Sequence, residues 1–181
     1  MKMNLNEPPE PNDITIVVAK SFDEVDKAKF AALVKSGFNK PLIPDYFSFT
    51  KPAYICLAKY QTNYAGAIVV EHIPNLEGVS YLDKIVVSPH YWGRGIGKNL
   101  WRNLNGASEK AIWRAKKENP IVNFYKLKSD GCINLTDVKD FMFFYYGLSS
   151  EELTKALSYA VGKKPSLIEP TSKAQQPKGG K

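Results

Sequence analysis

Apolar and polar residues alternate along the chain in short blocks of changing period. Ile14 to Ala19 is a β-branched run that predicts a first strand. Ser21 followed by Glu24 reads as a capping box opening a helix through Phe22, Val25, Ala28, Ala32 and Leu33, which stops near Gly37. A loop rich in proline and aromatic residues spans 38–52. Two strands are then expected, 54–60 and 64–72, joined by a hairpin at Gln61-Thr62-Asn63. The run 81–88 is apolar at Leu82, Ile85, Val86 and Val87, as a central buried strand requires.

Further on, Leu100, Trp101 and Leu104 predict a helix that ends at Asn105-Gly106. A strand at 111–115 and a short helix opened by Asn119-Pro120 follow. The segment 141–148 predicts an aromatic strand, and 150–161 a last helix with Gly162 at its end. Strands outnumber helices and several are hairpin neighbours. The expected fold class is therefore α/β of the α+β kind, a mixed, mostly antiparallel central sheet flanked by helices. The chain's 181 residues suit one domain over 14–165. A polar N-terminal arm (1–13) and a Pro-, Lys- and Gly-rich tail (166–181) are expected to be disordered.

Composition narrows the function classes. No apolar run reaches the ~20 residues of a membrane span, and the acid-bearing N-terminus lacks the features of a transit or signal peptide. Cytoplasmic placement without membrane contact is the expectation. Two cysteines, Cys56 and Cys132, and two histidines give no zinc or disulfide framework, so no metal is expected and both cysteines read as small buried hydrophobes. The net charge of +7 comes without a helix-turn-helix, zinc-finger or RNP-like pattern. Nucleic acid is accordingly not the expected partner, and attraction of a polyanionic small molecule is an alternative use of the charge.

The segment from Val87 to Leu100 joins a predicted strand to a predicted helix through Gly93, Gly95 and Gly97. Such glycines let backbone N–H groups approach an anion at a helix N-terminus, and Arg94 and Lys98 add positive charge. A packing turn is the plainer reading of glycines alone. The pattern Val87-x-Pro89-x-x-x-Gly93-x-Gly95-Ile96-Gly97-x-x-Leu100, however, resembles motif A of the GCN5-related N-acetyltransferases (GNAT). In that family this loop holds the pyrophosphate of acetyl-CoA. Trp92 stands where the family usually has Arg or Gln.

Tyr81-Leu82-Asp83-Lys84-Ile85-Val86-Val87, Trp113-Arg114-x-Lys116-x-x-Asn119-Pro120-Ile121 with Tyr125, Ser129-Asp130-Gly131, and Phe143-Phe144-x-x-Gly147-Leu148 narrow the likeness. In this order they resemble the acetyltransferase domain of vertebrate-type N-acetylglutamate synthases, from about Phe38 to Lys163. The resemblance implies acetyl-CoA as co-substrate and L-glutamate as acceptor. Lys40, Arg114 and Lys116 would bind the glutamate carboxylates. Asn119 would orient the amine or a water, and Tyr125 would give a proton to the leaving thiolate. Ile85, Val86 and Val87 would present backbone to the acetyl group, and Gly93 to Lys98 would hold the coenzyme.

Taken alone, Asn119 reads as a helix cap and Tyr125 as a surface aromatic. Glu71-His72 is a second general-base candidate, with exposed strand-end residues as its plainer reading. Because the family's transferase domain normally follows an amino-acid-kinase-like domain, a separate kinase-like subunit is one expected partner, and a homo-oligomer another. A regulatory role beside such a subunit, or acetylation of another amine, are the competing functions.

Overall fold

The computed structural model describes residues 13–169. The expected arm therefore lies outside the described residues except at its last position, and so does the expected tail beyond residue 169.

Seven strands form one sheet: β1 (Ile14–Ala19), β2 (Pro52–Tyr60), β3 (Asn63–His72), β4 (Val79–Val87), β5 (Lys110–Lys116), β6 (Gly131–Asn134) and β7 (Phe141–Tyr146). Their order is β1-β2-β3-β4-β5-β7-β6, and all neighbours are antiparallel except β4 and β5. The helices are α1 (Lys27–Phe38), α2 (Tyr46–Phe49), α3 (Ile96–Ala107), α4 (Val122–Lys128) and α5 (Ser150–Gly162). The fold is thus the expected mixed sheet with flanking helices. Alternation along the strands divides the core. Leu82, Ile85, Trp113 and Phe144 face α3 and α4, whereas Val86, Tyr81, Ile112 and Phe143 face α1, α2 and α5.

Local chemistry explains the boundaries. Ser21 accepts a hydrogen bond from the Asp23 amide and caps only a 3-10 turn at Phe22–Glu24, while Glu24 reaches back to the Lys20 amide. The true cap of α1 is Asp26, whose carboxylate accepts from the Lys29 amide. The helix stops at Phe38, one residue past Gly37 and so where expected, and Gly37 lets α1 pass close over β4. A Cβ on Gly37 would stand 2.3 Å from Val86 Cγ2. Asn39, in the left-handed region at φ 54°, ends the helix and sends the chain toward Lys40. Likewise Gly106 is inside α3, which runs one residue further.

Two short elements, α2 and β6, have no periodic signal. β6 is held by its junction: the Asp130 carboxylate accepts from the Gly147 amide at 2.7 Å, and the Asp130 amide donates to the Tyr145 carbonyl. Of the cysteines, Cys56 is buried as expected, but Cys132 is exposed, because β6 is an edge strand. Residues 166–169, expected in the tail, lie along 41–43: Ile43 donates to Ser166, Ile168 donates to Pro41, and Leu42 bridges Leu167.

Candidate active site

The parallel pairing of β4 with β5 covers only Val79–Leu82 against Lys110–Trp113. Beyond that point the strands carry on without pairing, so the sheet opens between Asp83–Val87 and Arg114–Lys116. A β-bulge falls where the splay begins, since Val69 opposes Lys84 but Val70 opposes Leu82, leaving Asp83 as the extra residue.

The open edge of β4 has a defined polarity. The Ser88 amide donates to Ala65 of β3, so by alternation Val86 also turns its backbone toward β3, while Ile85 and Val87 turn theirs toward the gap. Of the three expected backbone presenters, Ile85 and Val87 thus face the splay, and Val86 instead contributes its side chain to the α1 face. The indole of Trp92 donates to the Val87 carbonyl at 3.0 Å. That bond gives Trp92 a local role at the position where the sequence pattern is unusual.

The glycine loop follows directly. Gly93 and Gly95 have φ of 78° and 75°, which disfavour any side chain, and the space a Cβ would take at each is open. Gly95 is the N-cap of α3 and supplies no side-chain cap. The first-turn amides of Ile96, Gly97 and Lys98 thus remain donors at the positive end of the helix dipole, and the intrahelical ladder begins with Asn99 donating to Gly95. Ile96 anchors the loop by burying its own side chain in the core, and Lys98 is exposed.

On the same face of the sheet, Tyr125 projects from α4 and is 5% exposed. It is packed against Trp101, Trp113 and Phe144 at centroid distances of 6.1, 5.7 and 5.5 Å. The surface-aromatic reading is therefore wrong for this residue. Burial pushes its phenol well above the ordinary value, so it stays protonated at working pH. Asn119 sits in the turn between β5 and α4. Its side-chain oxygen accepts from the Ile121 amide at 3.1 Å, and its carbonyl accepts from Val122. This is an Asx turn ahead of α4 and not the helix cap, because the N-cap of α4 is Ile121, without a side-chain cap bond; among the described residues the Asn119 side-chain amide has no recorded acceptor.

The opposite face carries the basic side chains. Lys40, after α1, and Lys116, at the end of β5, both contact the Glu169 carboxylate, each at 2.7 Å and each on a different oxygen. Hydrogen bonds from the two lysines hold Glu169 below the usual carboxylate range, and the Lys116 ammonium is raised in turn. Arg114 does not join this pair. Its guanidinium donates to the carbonyls of Ala160, Lys163 and Lys164 and lies 4.8 Å from the Phe141 ring centroid. It caps the C-terminal end of α5, where a cation complements the helix dipole.

Between them lies a buried polar cluster that hydrophobic patterning missed. The bulge turns both Asp83 and Lys84 toward Tyr46: Lys84 donates to Asp83 at 3.0 Å and to Ser166 Oγ at 2.6 Å, and Tyr46 donates to Asp83 at 2.7 Å. Burial alone would raise the Asp83 carboxyl, but Lys84 and Tyr46 outweigh it and hold Asp83 below its ordinary value. The signal for the cluster was a charged pair inside an otherwise apolar strand. Glu71 is also buried, contrary to the exposed reading, and accepts from Tyr159 at 2.9 Å and Lys163 at 2.7 Å. Burial raises its carboxyl even so. Its partners tie α5 to β3, while His72 is exposed as expected.

Two surface grooves, one lined by Val18, Tyr54 and Arg102 and the other by Ile133, Leu153 and Leu157, lie away from the splay. Among the described residues there is no cluster of His, Cys, Asp or Glu able to hold a metal ion.

Residues 17–163 match the N-acetyltransferase family of N-acetylglutamate synthase. The chain is 31% identical over 156 residues to an acetylglutamate kinase of Xanthomonas campestris pv. campestris, covering 84% of this chain and 35% of that one. It is 31% identical over 154 residues to the mitochondrial N-acetylglutamate synthase of Homo sapiens, covering 84% of this chain and 28% of that one. It thus spans about a third of the length of these relatives. Among solved structures, Arabidopsis thaliana Naa50 in complex with the bisubstrate analogue CoA-Ac-MVNAL superposes with a TM-score of 0.56 at 18% identity, over 74% of this chain and 99% of that one. The fold is that of the GNAT acetyltransferases. With its splayed β4 and β5, its glycine loop at a helix N-terminus and this family match, the chain belongs to the N-acetyltransferase family of N-acetylglutamate synthase.

Proposed function

We propose that the chain transfers an acetyl group from acetyl-CoA to the α-amino group of L-glutamate. The observation that carries this reading is the convergence of Lys40 and Lys116 on one carboxylate beside the open edge of β4. An acceptor bearing a carboxylate suits those two ammonium groups, and the amides of the α3 N-terminus suit a pyrophosphate on the other face. One relative is named N-acetylglutamate synthase, and one structural neighbour is described with a CoA-bearing analogue, which agrees with both halves.

The chemistry follows from the groups at the splay. The neutral amine attacks the thioester carbonyl, and the N–H of Ile85 or Val87 stabilises the oxyanion. As the C–S bond breaks, the Tyr125 phenol gives its proton to the thiolate and is reprotonated from solvent. A water oriented by the free amide of Asn119 takes the proton lost by the amine. Transfer is direct in this scheme: Cys56 is buried with its thiol pushed up to about 11, and Cys132 lies on the edge strand. In this scheme Arg114 supports the acceptor pocket by fixing the end of α5.

The test mixes the protein with acetyl-CoA and L-glutamate and follows thiol release and N-acetylglutamate by mass spectrometry, with aspartate, glutamine and no acceptor as controls. Product with glutamate and not with the controls is expected. Acetylation of another amine in preference to glutamate would overturn the acceptor assignment. A second reading, a transferase-like partner of an acetylglutamate-kinase-like subunit, is favoured by the relative of that name. It predicts co-purification with such a subunit and turnover only in its presence.

A further inference from the structure

The segment after α5 returns across the acceptor side of the splay. It is fixed by Arg114 on the Lys163 and Lys164 carbonyls, by Lys84 on Ser166 Oγ, by Lys164 on Asp45, and by the backbone bonds to Pro41 and Ile43. Leu167 packs into the core beneath α1. The strap ends, among the described residues, on Glu169, whose two carboxylate oxygens meet Lys40 and Lys116 one to one. Residues 164–169 lie beyond the family match.

We infer that Glu169 is a tethered stand-in for the acceptor, occupying the two-lysine carboxylate subsite that a dicarboxylic amino acid must enter by displacing it. This deepens the acceptor reading above and rests on it. The argument is one of chemistry and charge. Glu169 carries the same group, on a side chain of the same length, as the proposed acceptor. With Glu169 in place, both oxygens facing the lysines are taken, and a second carboxylate would enter beside an existing anion. With Glu169 displaced, two ammonium groups face one incoming carboxylate. The lysine side chains are 24% and 28% exposed and Glu169 is 53% exposed, so the contact is built to exchange rather than to lock.

The experiment uses the full chain and its Glu169→Gln variant, which keeps the shape and removes the charge. Two ordinary, partly exposed ion pairs correspond to roughly a three- to tenfold preference. The expected result is therefore a KM for L-glutamate about three- to tenfold lower in Glu169→Gln, with the KM for acetyl-CoA unchanged. Calorimetric binding of glutarate, a dicarboxylate without an amine, should tighten by a similar factor. The glutarate arm decides the matter even if glutamate is not the acceptor: tighter binding in the variant supports the stand-in while the acceptor assignment falls on its own test. An unchanged or raised KM together with unchanged glutarate affinity overturns the inference, as does a failure of glutarate to bind either form. Glu169→Ala, expected to shift both readouts in the same direction, guards against an effect peculiar to the glutamine.

Discussion

Replacing Tyr125 by Phe separates chemistry from packing more cleanly than any other single change at this site. The ring is held by Trp101, Trp113, Phe124 and Phe144, and Phe keeps every one of those contacts. The hydroxyl makes no hydrogen bond within the described residues, so its removal strands no buried partner. Loss of a hydroxyl that has no protein partner is close to neutral, within about 1 kcal/mol. For a domain of this size that is a Tm shift of roughly 2–4 °C or less. If the phenol gives its proton to the leaving thiolate, kcat should fall by about 100-fold or more, the usual range for a lost general acid, equal to ~2.7 kcal/mol of transition-state stabilisation. The KM for acetyl-CoA should hardly move.

Thiol release under saturating acetyl-CoA and acceptor measures the rate, and scanning calorimetry measures Tm on the same samples. Because burial pushes the phenol above its ordinary 10.0, wild-type kcat should show no alkaline loss from this group below about pH 10. A kcat within about threefold of wild type at an unchanged Tm would refute the assignment and leave Tyr125 as a core aromatic. A rate loss that tracks a large drop in Tm would show that packing, not proton transfer, was disturbed.

Further substitutions test the frame around the site. Gly37→Ala gains about 1 kcal/mol of helix propensity but drives a methyl to 2.3 Å from Val86 Cγ2; overpacking of ~1–3 kcal/mol should win, and urea denaturation should show net destabilisation, whereas a more stable protein would contradict the close approach of α1 to β4. Gly95→Ala meets no neighbour but must hold φ at 75°, so a stability loss of about 1 kcal/mol with a raised KM for acetyl-CoA is expected, while Gly106→Ala in the same helix should stabilise by roughly 0.5–1 kcal/mol. Lys84→Met leaves the buried Asp83 carboxylate without its cation and should cost about 3–5 kcal/mol, largely recovered by adding Asp83→Asn. The Asp83 carboxyl is held below 3.8, so its contribution to stability is present above that value and is lost only as pH falls through the still lower folded-state value.

Much of this fold was legible because its strands are short, alternating and separated by turn residues. The hairpin expected at 61–63, the apolar run of β4 and a last helix ending at Gly162 each carried a local signal, and the structure returns all three, with the hairpin turn confined to Gln61 and Thr62. The site was legible where the backbone dictates residue type. Gly93 and Gly95 adopt a conformation that favours glycine whatever is bound, so a sequence pattern could register them. Ser21 shows the limit of that logic: the right residues at the right spacing capped a 3-10 turn, because the Asp26 carboxylate was available three residues before Lys29.

What could not be read from sequence was how charges would be shared once the sheet opened. Arg114 and Lys116 are two residues apart on one strand and share a face, yet the first is consumed by the carbonyls ending α5 and only the second meets Lys40. Tyr125 could be taken for a surface aromatic because α4 is too short to show a period, and its burial depends on Trp101 and Trp113 from two other elements. The buried Asp83–Lys84 pair depends on one extra residue in β4, which turns two successive side chains to the same face. The strap is the sharpest case. Its composition reads as solvent-loving tail, but a glutamate needs only two converging ammonium groups to be drawn onto a folded surface, and the splay between β4 and β5 supplies one of them from β5 and the other from the loop after α1. If the acceptor is the dicarboxylic amino acid proposed above, a cleft that gathers cations for it also gathers the chain's own carboxylate, so affinity for the acceptor and self-occupancy of the site would arise from the same two lysines.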